Sequence, residues 1–241
     1  MEHRRLEETG STNDDAHAAF MAGAPRPLLI SAGLQTAGIG RHGRAWAHDR
    51  QNFAGSFLID ARRPAREIPG AVALLSSLAV RDTLIAHGAD ASALALKWPN
   101  DVLFAEEKVA GILSSFVQDA HDSALIIGIG VNLATPPQET VFPARAVFPP
   151  ERGPDPKLFG DALGRRLLGL MDSLETKGSW GILEAWRTHA WRRGQRITIR
   201  RDDTDGVSGT FEDIDRHGHM LLRRDDGVLE TILAGDAGPT R

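Results

Sequence analysis

Residues 124–131 are apolar at nearly every position, Ala124, Leu125, Ile126, Ile127, Gly128, Ile129, Gly130 and Val131, and the run stops at Asn132. A strand with one wet face alternates polar and apolar residues, whereas one covered on both faces reads as a continuous apolar run. The stretch therefore predicts a central strand with layers packed on both sides. Asn132 is then a polar group where the strand leaves the core.

The rest of the chain supplies elements that could surround such a strand. Gly10 to Asp15 reads as a helix start with a small polar cap and acidic residues in the first turn, followed by alanine-rich residues 16–21. Residues 28–31 and 53–60 read as strands, and 64–70 as a turn. Residues 71–87 carry Val72, Leu74, Leu75, Leu78, Leu84 and Ile85 at helical spacing, as expected for a core helix that buries one face. Short strands at 93–98 and 102–104 flank Pro99, Asn100 and Asp101. Residues 105–108 form a polar hairpin tip, and 109–116 return as a strand. Residues 135–154 are proline-rich and aperiodic, a long loop. Asp155 and Pro156 then form a cap and first-turn pair for a helix to Thr176. Its apolar face is read as Leu158, Phe159, Leu163, Leu167, Leu168, Leu170 and Met171, and Ser179 caps a shorter helix to about Trp191. From Gln195 the texture changes to short alternating strands with charged outer positions, a small β-barrel expected to dock on the larger part. The expected division is 1–191 and 192–241.

Composition narrows the function classes. A chain of 241 residues with 41% hydrophobic and 25% charged residues is globular, and its net charge of −4 offers no excess for extensive nucleic-acid binding. No cysteine is present, which excludes disulfides, thiolate catalysis and cysteine-bound zinc. The charged N-terminus lacks a signal-type apolar stretch, so the expectation is a soluble cytoplasmic protein without a membrane role.

Residues 35–46 carry the chemistry most visibly. Gly38, Gly40 and Gly43 alternate with Arg41, His42 and Arg44 just after a buried strand, and such loops can aim backbone N–H groups and guanidinium forks at an anion. The spacing satisfies G-x-G-x-x-G, and Asp60 lies where a ribose-binding acid would be expected. Residues 44–52, however, have no apolar stripe and cannot form the helix whose N-terminus would hold a pyrophosphate. A dinucleotide site is therefore set aside. A solvated glycine loop and an anion-binding lid both remain open on this segment alone.

Five motifs in order decide between them. Ser11-Thr12-Asn13, the loop 38–46, Lys97 to Val102, Lys108 to Leu113 and Gly128 to Leu133 together resemble the biotin–protein ligases, and the β-rich end is similar to that family's SH3-like domain. The resemblance covers essentially the whole chain. It implies an α+β fold, a mixed β-sheet with packed helices like that of class II aminoacyl-tRNA synthetases, plus a C-terminal SH3-like β-barrel. It also implies an activity: biotin is activated with ATP and Mg2+ as biotinyl-5′-AMP, then passed to a lysine of a biotin carboxyl carrier domain of acetyl-CoA carboxylase or another biotin-dependent carboxylase.

Residue by residue, the resemblance places Ser11, Thr12, Asn13 and Gln35 on the biotin ureido ring, with Ile39, Gly40, Arg41, Lys108 and Gly111 completing the biotin pocket. Gly38, Gly40, Arg41, Arg44, Asn100, Asp101 and Asn132 fall to ATP. Lys108, Arg41 and Asp101 are the catalytic candidates, and Asp101 is the carboxylate suited to Mg2+. Trp98 is expected in the core rather than on adenine. No serine stands in a nucleophile elbow, so hydrolase chemistry has no support. Two departures from the family stand out. Only ten residues precede the Ser-Thr-Asn motif, so ligase activity without DNA binding is expected. Ile39 stands where the family loop generally has arginine, which implies weaker closure over the intermediate. A sheet-edge homodimer is common in the family. The alternatives are a lipoate or octanoate ligase or transferase of the same superfamily, and a non-catalytic protein that binds biotin or biotinyl-AMP.

Overall fold

The structure is a computed structural model that describes residues 1–61, 69–137, 142–201 and 204–240. Twelve strands and four α-helices are described: β1 (Glu2–Thr9), α1 (Thr12–Met21), β2 (Leu28–Gln35), β3 (Phe53–Asp60), α2 (Pro69–Ala86), β4 (Leu94–Lys97), β5 (Asp101–Phe104), β6 (Glu107–Gln118) and β7 (Ser123–Val131), then α3 (Pro156–Lys177), α4 (Trp180–Thr188), β8 (Arg196–Arg201), β9 (Thr204–Ile214), β10 (Met220–Arg224), β11 (Leu229–Ile232) and β12 (Asp236–Pro239). Residues 64–68 of the expected turn and 138–141 of the expected long loop lie outside the described residues.

A seven-stranded mixed sheet runs in the order β1-β2-β3-β7-β6-β5-β4, parallel only between β1 and β2. β7 lies at its centre, as its continuous apolar run predicts, and alternation assigns each residue to a layer. Leu125, Ile127, Ile129 and Val131 join the large core beneath α2, α3 and α4. Ala124 and Ile126 pack on the opposite face with Ala16, Ala19 and Phe20 of α1. The next two positions on that α1 face are Gly128 and Gly130, so the sheet becomes bare just beyond the helix. That bare patch is where the cavity forms.

Several elements differ from the sequence reading. The charged stretch 2–9 gives no strand signal, yet it forms the edge strand β1, with most of its side chains in water as suits an exposed edge. His3 fastens it: Nδ1 lies 2.6 Å from Asp161 Oδ1 and Nε2 lies 2.7 Å from Ser31 Oγ. Serine, histidine and aspartate thus stand in relay order, but Ser31 is fully buried and outside the cavity, so this is a strut and not a nucleophile. Helix α2 is covered on more than one face. Buried Ser76, Ser77 and Thr83 return their hydroxyl protons to the carbonyls of Val72, Leu74 and Ala79, each at 2.7 Å. In α3 the buried line is Phe159, Leu163, Leu167, Met171 and Leu174, at steps of four and three. Leu158 lies about 100° from that line and is 62% exposed. The shorter helix ends at Thr188 rather than near Trp191, and neither Ser11 nor Ser179 caps its helix through its side chain.

The C-terminal strands form a five-stranded antiparallel sheet, β11-β10-β9-β8-β12, rather than an independent core. Ile197, Phe211, Ile214, Met220, Leu222 and Ile232 belong to the same apolar cluster as the main sheet. Trp98, 2% exposed, donates its indole N–H to Gly218 O at 3.0 Å across the junction. Arg187 of α4 reaches Asp213 and the Ile214 carbonyl, each at 2.7 Å. Among the described residues no helix is long and apolar enough to cross a membrane.

Asp155 accepts from the Lys157 and Leu158 amides at 2.8 and 3.0 Å, the capping arrangement read from its sequence position. Asp155→Ala should therefore cost about 1 kcal/mol of stability in urea denaturation, without altering the cavity on the far face of the sheet.

Candidate active site

A cavity of about 660 Å³ opens on the α1 face, beyond the N-terminus of α1. All the residues singled out from sequence reach it, from Ser11 at the helix start to Asn132 at the end of β7. One end is polar and neutral. The Thr12 amide and hydroxyl both donate to Gln35 Oε1, at 2.8 and 2.9 Å. Ser56 donates to Asn13 Oδ1 at 2.6 Å and also lies 2.8 Å from the Thr12 hydroxyl. His48 holds the base of Gln35 by accepting its backbone N–H at Nδ1, while Nε2 faces Asn52 O. Burial pushes the His48 pKa down, which favours this neutral ring.

The floor between the two ends is bare sheet. A Cβ at Gly128 would run into the Asn13 amide, and one at Gly130 into the Trp46 indole. Trp46 therefore lies flat on the strand, as no side chain larger than hydrogen would allow. The loop that carries Trp46 is a closed hairpin: Gly40 N–H donates to Arg44 O at 2.7 Å and Trp46 N–H to Gly38 O at 2.8 Å. Ile39 bridges to Ala45 within it and is 48% exposed. A short 3₁₀ turn, Arg41–Gly43, occupies the place where a dinucleotide fold would start a helix.

The other end is ionic. Asp101 is buried, with Lys108 Nζ 2.6 Å from Oδ1 and Lys97 Nζ 3.4 Å from Oδ2. Both are ion pairs, and the first is the closer. Lys108 arrives there through a bulge. Asp101 pairs with Gly111 and Val102 with Ala110, but Leu103 pairs with Lys108, which leaves Val109 as an extra residue. Val109 and Ala110 both enter the core, so the alternation resets and Lys108 falls on the cavity face with Gly111. Burial by itself would raise the Asp101 pKa; Lys108 and Lys97 outweigh it and hold the carboxyl below its ordinary value. Asn100 donates to Ile112 O at 2.7 Å and accepts from Arg41 Nη1 at 3.1 Å.

Among the described residues, four cations, Arg41, Arg44, Lys97 and Lys108, face the cavity against two carboxylates, Asp101 and Asp236. That excess is suited to anionic ligands. The two carboxylates already serve the protein's own cations, so Asp101 as placed does not fit an inner-sphere Mg2+ ligand. Sequence reasoning passed over Ser56, Trp46, Lys97, Phe142 and Asp236. Lys97 and Trp46 lie inside recognised motifs and could have been weighed. Asp236 and Phe142 come from distant segments with no local signal; Phe142 lies 4.9 Å from Lys97 Nζ.

Asp101→Asn should destabilise the fold by about 3 kcal/mol at neutral pH, because two ammonium groups lose their buried partner. A carboxyl whose pKa is depressed on folding contributes fully above its unfolded value, 3.8, and that contribution is lost as pH falls through the folded value. The variant's acid denaturation curve should be correspondingly flatter below about pH 4.

A model of the biotin/lipoate A/B protein ligase family matches residues 7–132, and one of the biotin protein ligase C-terminal domain matches residues 194–237. The chain is 36% identical to the biotin–[acetyl-CoA-carboxylase] ligase of Paracoccus denitrificans, over 90% of this chain and 92% of that protein. It is 30% identical to the enzyme of the same name from Mycobacterium tuberculosis, over 95% and 85%. The structure of biotin protein ligase from Aquifex aeolicus in complex with biotin and ATP superposes with a TM-score of 0.80, covering 98% of this chain and 97% of that one at 23% identity, a likeness of fold. With more than half of its length matched by the first family model, the chain belongs to the biotin/lipoate A/B protein ligase family.

Proposed function

We propose that the protein is an ATP-dependent biotin–protein ligase. The observation that carries this reading is one cavity with a neutral hydrogen-bonding end, a bare glycine floor and a cationic end. Biotin has the matching parts: a neutral ureido head, an apolar body and a carboxylate. The match of residues 194–237 to the biotin protein ligase C-terminal domain favours biotin over lipoate or octanoate.

In the first step a biotin carboxylate oxygen attacks the α-phosphorus of ATP and pyrophosphate leaves. Ser11, Thr12, Asn13 and Gln35 hold the ureido ring, while Ile39, Gly40 and Gly111 border the biotin chain. Lys108 and Arg41 stand between carboxylate and α-phosphate, whose mutual repulsion they offset. Arg44, Asn100, Asn132 and the Gly38–Gly40 backbone face the nucleotide. Asp101 acts by fixing Lys108 and Lys97. Mg2+ would come with ATP and offset phosphate charge, and Asp101, engaged by Lys97 and Lys108, would not be a direct ligand. In the second step the ε-amine of a carrier-domain lysine attacks the biotinyl carbonyl carbon, the acyl–phosphate bond breaks and AMP leaves. The partner is the biotin carboxyl carrier domain of acetyl-CoA carboxylase or a related carboxylase. We place the catalytic part at 1–191 and the C-terminal part at 192–241, acting in the cytoplasm without a DNA-binding role, in keeping with the net charge of −4.

Incubation with ATP, Mg2+ and biotin should add one biotin mass to an apo carrier domain, and lipoate should add none; no biotin adduct would overturn the reading. Lys108→Met should lower pyrophosphate release by about 100-fold while the protein stays folded. Ile39→Arg should tighten biotin and slow biotinyl-AMP release, since it adds a cation to the rim of the lid; equal values for both proteins would make Ile39 neutral.

A further inference from the structure

Among the described residues the C-terminal sheet sends one charged side chain into the cavity, and it meets the two arginines of the glycine loop. β12 starts at Asp236, directly after Gly235, whose φ of 140° is a conformation that residues with side chains rarely adopt. Asp236 Oδ1 accepts from Arg41 Nη1 at 3.2 Å, and Oδ2 lies 2.8 Å from Arg44 Nη2. The same Arg41 nitrogen also reaches Gly235 O at 3.4 Å and Asn100 Oδ1 at 3.1 Å. One nitrogen of Arg41 is therefore held by acceptors from both sheets, and one carboxylate joins two guanidinium groups.

The loop does not place these arginines by itself. Its own bonds close the hairpin through backbone atoms of Gly38, Gly40, Arg44 and Trp46, and Arg44 Nε donates to Arg41 O at 3.2 Å, but the Arg41 guanidinium makes its hydrogen bonds outside the loop. Two guanidinium groups side by side repel each other unless an anion lies between them. The Asp236 carboxylate supplies that anion.

We infer that Asp236 is a positioning residue for adenylation, through which the C-terminal sheet holds Arg41 and Arg44 in register over the reacting groups. This rests on the ligase reading. Among the described residues Arg41 spends only Nη1 on the protein and keeps Nε and Nη2 for ligand oxygens, an economy its fork-shaped guanidinium permits and a lysine would not. The C-terminal sheet is then part of the active site rather than an appendage to it.

The alternative use of the same geometry is competition: Asp236 would occupy the place of a ligand anion and have to be displaced. The two uses predict opposite signs. In the full-length protein, with biotin and ATP, Asp236→Asn is expected to lower kcat for pyrophosphate release by about tenfold or more, since misplacement by an ångström is enough for such losses. The KM for biotin should change by much less, and the melting temperature should stay near that of the parent. Asp236→Glu keeps the charge and should stay within about threefold of the parent. An Asp236→Asn rate equal to or above the parent's overturns the inference, as does a loss in Asp236→Glu as large as in Asp236→Asn. Should Asp236→Asn melt early, the Glu variant alone decides by the same threshold. A parent protein that releases no pyrophosphate would instead sink the ligase reading.

Discussion

A buried carboxylate with an ammonium group on each side holds the reactive end of the cavity together. Asp101 would be costly in the sheet interior without Lys97 and Lys108, and either lysine would be costly without Asp101. Their arrangement depends on the extra residue in β6, Val109, which rotates Lys108 from one face of the sheet to the other. The local hydrogen-bond ladder is thus what decides whether the central cation of the site faces ligand or core.

The same sheet provides the space. Along β7 the α1 face passes from Ala124 and Ile126, which pack under α1, to Gly128 and Gly130, which accept Asn13 and Trp46 at close approach. A strand buried on both faces thereby carries packing at one end and a ligand floor at the other. The loop 38–46 closes above it as a backbone hairpin, and Asp236 of the second sheet joins its two arginines, which Asn100 and the Arg41 carbonyl also hold.

The two sheets share one apolar cluster, and one of the contacts that join them lines the cavity. Trp98, next to the Asn100–Asp101 segment, ties to Gly218, and Asp236 ties to Arg41 and Arg44. Displacing the C-terminal sheet would expose apolar side chains and release both arginines together. Stability and site geometry are coupled here through the same few residues.

Much of this was legible in the sequence because the signals are local. The apolar run fixed β7 at the sheet centre, Asp155 and Pro156 marked the start of α3, and the ordered motifs brought fourteen residues to one cavity. The absent apolar stripe after Gly43 was enough to remove the dinucleotide fold, since a helix that cannot pack does not form there. What the sequence left undecided is what long-range pairing decides. β1 is a strand because β2 offers it a partner, not because its charged residues ask for one. Lys108 faces the cavity because a bulge shifts its register, and Asp236 enters the site because a separate sheet docks against the loop. Periodicity reports how a segment meets water and core. It carries no information about which distant carboxylate a guanidinium will meet, and that is settled only when the two sheets share a core.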